Sequence, residues 1–296
     1  MAYAAEDQLG SRLERILSGR TPGRVLDVGC GDGSFLDELI TAAPSAPQEV
    51  WGVDPDPDAL SEAKRFFTLH GPDIPFYFLE GSAPGLELPV QEFHTLSFQD
   101  MLHHMSGSSF SHEMDGERRE LVERHVDQAA QYLDSGGLMI ISEVVAGEGG
   151  LGNEAESARA TRTALHNLKA EIDVLQGIPH GYTFHGEQLL QLLVDILEER
   201  NFHVIHGDIF EDQADIVQSG REDRAVEKTF DYFRNYAERL TDPLDGSPAW
   251  KMDGTQRSRV RDEFLFRLEP LRMAAMNNGL LAQRRLLLAA GKTEAE

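Results

Sequence analysis

"VLDVGCGDGSFLDEL", residues 25–39, runs as an apolar strand, breaks into glycines at alternate positions, and resumes with helical spacing. Gly29, Gly31 and Gly33 lack side chains, so backbone N–H groups and the start of the next helix can approach a ligand at the strand's end. A phosphate-binding loop would close on Gly-Lys-Ser/Thr, and "GDGSF" has no lysine. A dinucleotide fingerprint is G-x-G-x-x-G, and here Ser34 stands where the third glycine belongs. Asp27 and Asp32 would also face a pyrophosphate poorly. The loop therefore disfavours an anionic ligand and favours a zwitterionic or cationic one.

The flanking chain alternates strand and helix patterns, which predicts an α/β fold with a mainly parallel, doubly wound sheet of about seven strands. Strands are expected at 23–29, 49–56, 76–81, 93–98, 136–144 and 202–210. Helical stripes separate them, notably Phe35, Leu36, Leu39 and Ile40, then Leu60, Ala63 and Phe67 after Pro57. Residues 151–185 and 219–278 interrupt the alternation with further helical stripes. One carries Leu165, Leu168, Ile172 and Leu175; the others carry Val226, Phe230, Phe233, Ala237 and Leu240, then Val260, Phe264, Leu268 and Leu271. "LLAQRRLLLAAGK", 280–292, fits a last strand or a helical extension, and we take the strand. The expected division is a ligand-binding core over 1–150, an insertion at 151–185, and the core continued at 186–210. A helical segment at 211–279 and a last strand with its tail at 280–296 complete it.

Composition narrows the function. Hydrophobic residues make up 41% of the 296, enough for a full core, and no apolar run approaches the roughly 20 residues that span a bilayer. The N-terminal stretch has no basic patch followed by an apolar run, so a cytoplasmic protein without membrane attachment is expected. The formal charge is −24, from 51 acidic against 27 basic residues, which repels nucleic acid. Few lysines among many carboxylates fit either an ordinary acidic surface or a protein working in high salt. Cys30, the single cysteine, excludes an internal disulfide and a cysteine-based zinc site, and reads as a small side chain filling a crowded turn.

Asp54 closes the second strand, where a carboxylate can accept both ribose hydroxyls of an adenosine lying across the sheet edge. Asp56 is the better cap for the helix that follows, which leaves Asp54 free for a ligand. Adenosine with a cationic, amino-acid-bearing tail describes S-adenosylmethionine. "VLDVGCGDGSF", "VWGVDPDPDAL", "FHTLSFQDMLHHM" and "LDSGGLMIISE", in that order, resemble the class I S-adenosylmethionine-dependent methyltransferases over about residues 20–210. The resemblance implies a Rossmann-like fold and S-adenosyl-L-methionine as cofactor. It implies that Gly29, Cys30, Gly31 and Gly33 pack against the methionine and ribose parts, with Asp27 helping through water or backbone. Asp54 would hold the ribose, Pro55 would lie against the adenine, and Gln99 would offer a main-chain carbonyl to the methionine amine. "GSA", 81–83, falls where the family often has Gly-Asp-Ala, so Ser82 and Ala83 would meet the adenine without the usual acid. His94 replaces the aspartate of a common Phe-Asp-x-Val and reads as structural.

Methyl transfer asks the enzyme to hold the acceptor in line with the methyl and, where needed, to remove a proton. His103 and His104 follow the fourth strand at the active edge and are the candidate bases; His112, His180, His185 and Glu143 are further options. Asp100 beside the two histidines is too sparse a set to predict a metal. The helical additions are expected to cover a substrate pocket, with a homodimer through the C-terminal helices as the other role for them. Tyr182, Phe184, Phe230, Tyr232, Phe233, Tyr236 and Trp250 would either line that cover or fill its core. The reading is thus a methyltransferase for a small-molecule O- or N-acceptor. The alternatives are a cofactor-binding protein without transfer activity, a methyltransferase of RNA or protein, and a nicotinamide oxidoreductase.

Overall fold

In the computed structural model, the described residues are 9–82, 87–90, 92–102, 116–145, 153–176, 186–212, 222–278 and 283–293. Two compact units are present, one of 1–147, 181–212 and 284–296, the other of 148–180 and 213–283.

The first unit is built on seven strands: β1 Arg24–Val28, β2 Glu49–Asp54, β3 Phe76–Glu80, β4 Phe93–Gln99, β5 Leu133–Val144, β6 Phe202–Asp212 and β7 Gln283–Lys292. Their order is β3-β2-β1-β4-β5-β7-β6. The pairs β1/β2, β1/β4, β2/β3 and β4/β5 are parallel. β7 enters antiparallel to β5, with Val144 opposite Arg285 and Leu138 opposite Gly291. Its leucines fit either a helix or a strand, and burial on both faces decides for the strand. Leu287 and Ala289 join one core while Leu286, Leu288 and Ala290 join the other.

The same alternation runs through the parallel strands and explains their nearly continuous apolar sequences. Val25, Val50 and Ile140 pack beneath α1 (Leu9–Leu17), α2 (Ser34–Ala42) and α3 (Pro57–His70). Leu26, Val53, Leu96, Phe98 and Ile141 pack on the opposite face against α4 (Gly116–Ala130) and α6 (Gly186–Glu199). Helix α1 lies outside the elements expected from the strand–helix alternation. Its apolar positions Leu9, Leu13, Ile16 and Leu17 are all buried, and Arg12 on the same face pairs with Asp208 and stacks 4.1 Å over the Phe210 ring.

Helix α3 starts as its sequence dictates. Pro57 sits in the first turn, and Asp56 caps it by accepting from the Asp58 N–H at 2.9 Å. Gly33, at φ 84°, precedes α2, and a Cβ there would lie 2.9 Å from a Phe67 ring carbon. Phe67 is itself buried between Phe76 and Phe78 and has no room to retreat. Gly33→Ala therefore combines a left-handed backbone with a clash. It is expected to lower stability by about 3 kcal/mol, read as a fall in the urea midpoint at unchanged slope.

The second unit contains α5 (Asn153–Gln176), α7 (Glu222–Glu238) and α8 (Gly254–Asn278). The three stripes read from the sequence meet in one core: Leu165, Leu168 and Ile172 with Val226, Phe230 and Phe233, and with Phe264 and Leu268. Phe230, Phe233 and Tyr236 are core residues, whereas Tyr232 and Trp250 are about half exposed. Asp173, fully buried, accepts from the Tyr236 hydroxyl and pairs with Lys169 at 2.9 Å. No helix among the described residues is long and apolar enough to cross a membrane.

Candidate active site

The sheet order reverses between β1 and β4, which leaves a crevice at the C-terminal ends of the strands on either side of the switch. Of the site residues expected from the sequence, Asp27, Gly29, Cys30, Gly31, Gly33, Asp54, Pro55, Ser82 and Gln99 all fall on this edge. They lie at the ends of β1, β2, β3 and β4 or in the turns just after them. Ala83, His103 and His104 lie outside the described residues, as do His112, His180, His185, Tyr182 and Phe184.

The glycine loop turns sharply against β2. Gly29 and Cys30 donate their N–H groups to the Val53 carbonyl at 2.7 and 3.0 Å, and the Gly33 N–H closes the turn on the Cys30 carbonyl at 2.9 Å. Gly29, Gly31 and Gly33 all have positive φ, at 78°, 52° and 84°. The three glycines serve different needs. A Cβ on Gly29 would meet the Met101 sulfur at 2.9 Å, and one on Gly33 would strike Phe67, but one on Gly31 would meet nothing within 4 Å. Gly31 thus borders open space, as a backbone presented to a ligand should.

Asp54 organises the loop from below. Its Oδ2 accepts the Gly31 N–H at 2.8 Å and its Oδ1 accepts the Asp56 N–H at 2.9 Å. Each oxygen retains a lone pair, so the carboxylate can still accept two ribose hydroxyls. Because Asp56 caps α3, Asp54 is not consumed by that helix. Pro55 and Ser82 beside it are exposed.

Asp27 is fully buried in β1. Its Oδ1 accepts the Ser97 hydroxyl at 2.7 Å, while its Oδ2 has no hydrogen-bond partner among the described residues. Burial raises its carboxyl to about 7; the Ser97 bond pulls it down and the negative charge of Asp54 pushes it up. A bare, buried carboxylate oxygen facing no donor is costly, and a proton, or a donor or cation brought by a ligand, would relieve it. The open flank of Gly31, the spare acceptors of Asp54 and the orphan oxygen of Asp27 together fit an adenosine-bearing cation. They do not fit a pyrophosphate.

Cys30 is buried against Gly52, and its thiol is pushed well above the ordinary range by burial and by the charges of Asp27 and Asp54. Such a thiol stays protonated, which suits a space-filling role and not a nucleophile. Glu143 is fully buried and accepts the Leu102 N–H at 2.8 Å, so it holds the chain after β4 and is not an exposed base. His94 is at the other end of its strand. Its Nδ1 accepts the Arg24 N–H at 3.2 Å and its ring fills the space that Gly23 leaves, which makes it structural. No cluster of three metal-ligating side chains is present among the described residues.

The sequence reading missed Arg285. This β7 side chain is 5% exposed and reaches Asp100, directly after Gln99, with Nη1 to Oδ1 at 2.9 Å and Nη2 to Oδ2 at 3.1 Å. A signal existed: an arginine bordering "LLLAA" in a strand buried on both faces must find an acid.

A family model described as a methyltransferase domain matches residues 1–207. Among solved structures, YjhP from Escherichia coli is 16% identical, with 97% of this chain and 92% of that chain covered and a TM-score of 0.51. The [4+2]-cyclase SpnF is 18% identical, with 96% and 81% covered and a TM-score of 0.50. The mycolic acid cyclopropane synthase CmaA1, solved with S-adenosylhomocysteine and CTAB, is 13% identical, with 95% and 83% covered and a TM-score of 0.50. At these identities the likeness is one of fold. No curated protein sequence matches this chain.

Proposed function

Because this chain belongs to the methyltransferase-domain family and is an S-adenosylmethionine-dependent methyltransferase, we propose that its acceptor is an oxygen or nitrogen of a small molecule. When bound, the cofactor supplies a methyl group on a cationic sulfur, which an acceptor takes by in-line displacement. The observation that carries the cofactor assignment is Asp54, whose two oxygens fasten the glycine loop and the next turn while each keeps an acceptor position for a ribose hydroxyl. Asp27 supplies a buried carboxyl on the same edge that a cationic ligand would favour in its ionised form, Gly31 an open backbone, and Pro55 and Ser82 an exposed surface for the adenine.

The acceptor class rests on charge. At −24 the chain repels polyanions, so RNA is a poor acceptor unless a local basic surface overrides the whole. The helical additions in the sequence, 151–185 and 211–279, are the segments we propose for acceptor recognition. His103 and His104 stay the candidate bases, a few residues after β4 in sequence. The C-terminal helices are the proposed surface for a homodimer, and the cytoplasm is the proposed compartment.

Calorimetric titration with S-adenosylmethionine, S-adenosylhomocysteine and NADH, in low and high salt, tests the cofactor. Binding of the first two and not the third is expected; a folded protein that binds neither overturns the reading. Methyl transfer from labelled cofactor to pooled amines, phenols and carboxylic acids, run against RNA and protein pools, tests the acceptor. Label confined to RNA or protein would replace the small-molecule assignment.

A further inference from the structure

We propose that Asp100 and Arg285 form a positioning pair that sets the chain after β4 against the glycine loop, so that cofactor affinity depends on a residue of the last strand. Asp100 has φ 49°, and only one other non-glycine residue among those described, Asn201, shares a positive φ. An aspartate persists there only where its surroundings over-determine it. Here they do. Its N–H donates to the Ser142 carbonyl at 2.9 Å, and its Oδ1 accepts the Val144 N–H at 3.0 Å as well as Arg285 Nη1. Arg285 in turn donates to the Ser142 hydroxyl at 3.0 Å, so both partners are locked to β5.

The consequence lies one residue on. Met101 packs so closely on Gly29 that a Cβ there would sit 2.9 Å from its sulfur, and the next residue, Leu102, is tied through its N–H to Glu143. The three residues after Gln99 are thus pinned from β5 and β7, and the middle one presses on the first glycine of the loop. A buried ion pair is weak as a stabiliser, since apolar residues of similar volume usually do as well, and the strand continues from Arg285 into the buried apolar run Leu286 to Ala290. The charge at Arg285 is explained by the backbone shape that it imposes on Asp100.

The inference rests on the cofactor reading, and the test separates the two. Arg285→Met keeps the buried stem and loses the charge. It is expected to weaken S-adenosylhomocysteine binding about tenfold in calorimetry and to shift the Met101 methyl resonance in protein carrying ¹³C-methyl methionine. Asp100→Gly takes the positive φ without help, and its side-chain position is 33% exposed, so water can take the Val144 N–H. Asp100→Gly alone strands the buried Arg285 without its acid and is expected to lose stability, so the informative variant is the double one, in which Asp100→Gly is expected to restore affinity and methyl shift to Arg285→Met. A merely structural pair predicts no such rescue. Unchanged affinity and an unmoved Met101 signal in Arg285→Met, or a double variant no better than it, overturn the proposal. Wild-type protein that binds no cofactor overturns the cofactor reading instead, and the methyl shifts then decide the positioning pair alone.

Discussion

Asp54→Ala is expected to weaken S-adenosylmethionine binding by roughly three orders of magnitude while leaving the fold intact. Two losses combine. The carboxylate oxygens no longer accept from the ribose, at about 1.5–3 kcal/mol for each hydrogen bond to a charged acceptor. The Gly31 N–H also loses its 2.8 Å partner, so the loop is no longer held with its open side toward the ligand. Asp56→Ala is the informative control, because it removes the α3 cap that accepts from Asp58 and Ala59 but nothing that faces the ligand. It should cost about 1 kcal/mol of stability with affinity within a factor of two or three. Calorimetry gives affinity and thermal melting gives stability for both variants. A loss below tenfold in Asp54→Ala would remove this residue from the ribose site.

The contrast between these two aspartates was legible in the sequence. Asp-Pro-Asp-Pro-Asp places one acid at the strand's end and the next before a proline-started helix, and helix-capping preference alone allots the second to the helix. The alternation of strands and helices was legible too, because strands buried on both faces must be apolar at consecutive positions and their helices show the period of a single buried stripe. What stayed hidden depends on contacts between residues far apart in the chain. Nothing local in "QDM" says that Asp100 has a positive φ, since the cause is Arg285 in another strand. Likewise Glu143 looks like an acid offered at a strand's end. Only the fold shows it buried and holding the Leu102 N–H. Helix α1 is a different case: its apolar spacing is plain, but it lies outside the strand–helix alternation that organised the reading.

Asp27 gives the second large effect, and its sign differs from that of most acids in folded proteins. Its carboxyl goes from the ordinary 3.8 up to about 7 on folding, chiefly through burial, so the folded chain binds a proton that the unfolded chain has released. Its contribution is fully present below about pH 4, falls as the pH rises toward 7, and is completely lost above that. About three units at 1.36 kcal/mol each give a loss of about 4 kcal/mol across this window. Asp27→Asn keeps an acceptor for the Ser97 hydroxyl, 2.7 Å away in the native protein, and adds no charge. The difference in stability between the variant and the native chain should therefore be small at pH 4.5 and should grow by several kcal/mol toward pH 8, in favour of the variant. Ligand binding runs the other way. A cationic cofactor favours the ionised carboxylate, so native affinity should fall as the pH drops below 7, whereas Asp27→Asn should bind weakly and with little pH dependence. Urea melts at several pH values with and without S-adenosylmethionine measure both slopes. Parallel native and variant stability curves would show that Asp27 is ionised throughout, and the orphan oxygen would then have a partner even in the free protein.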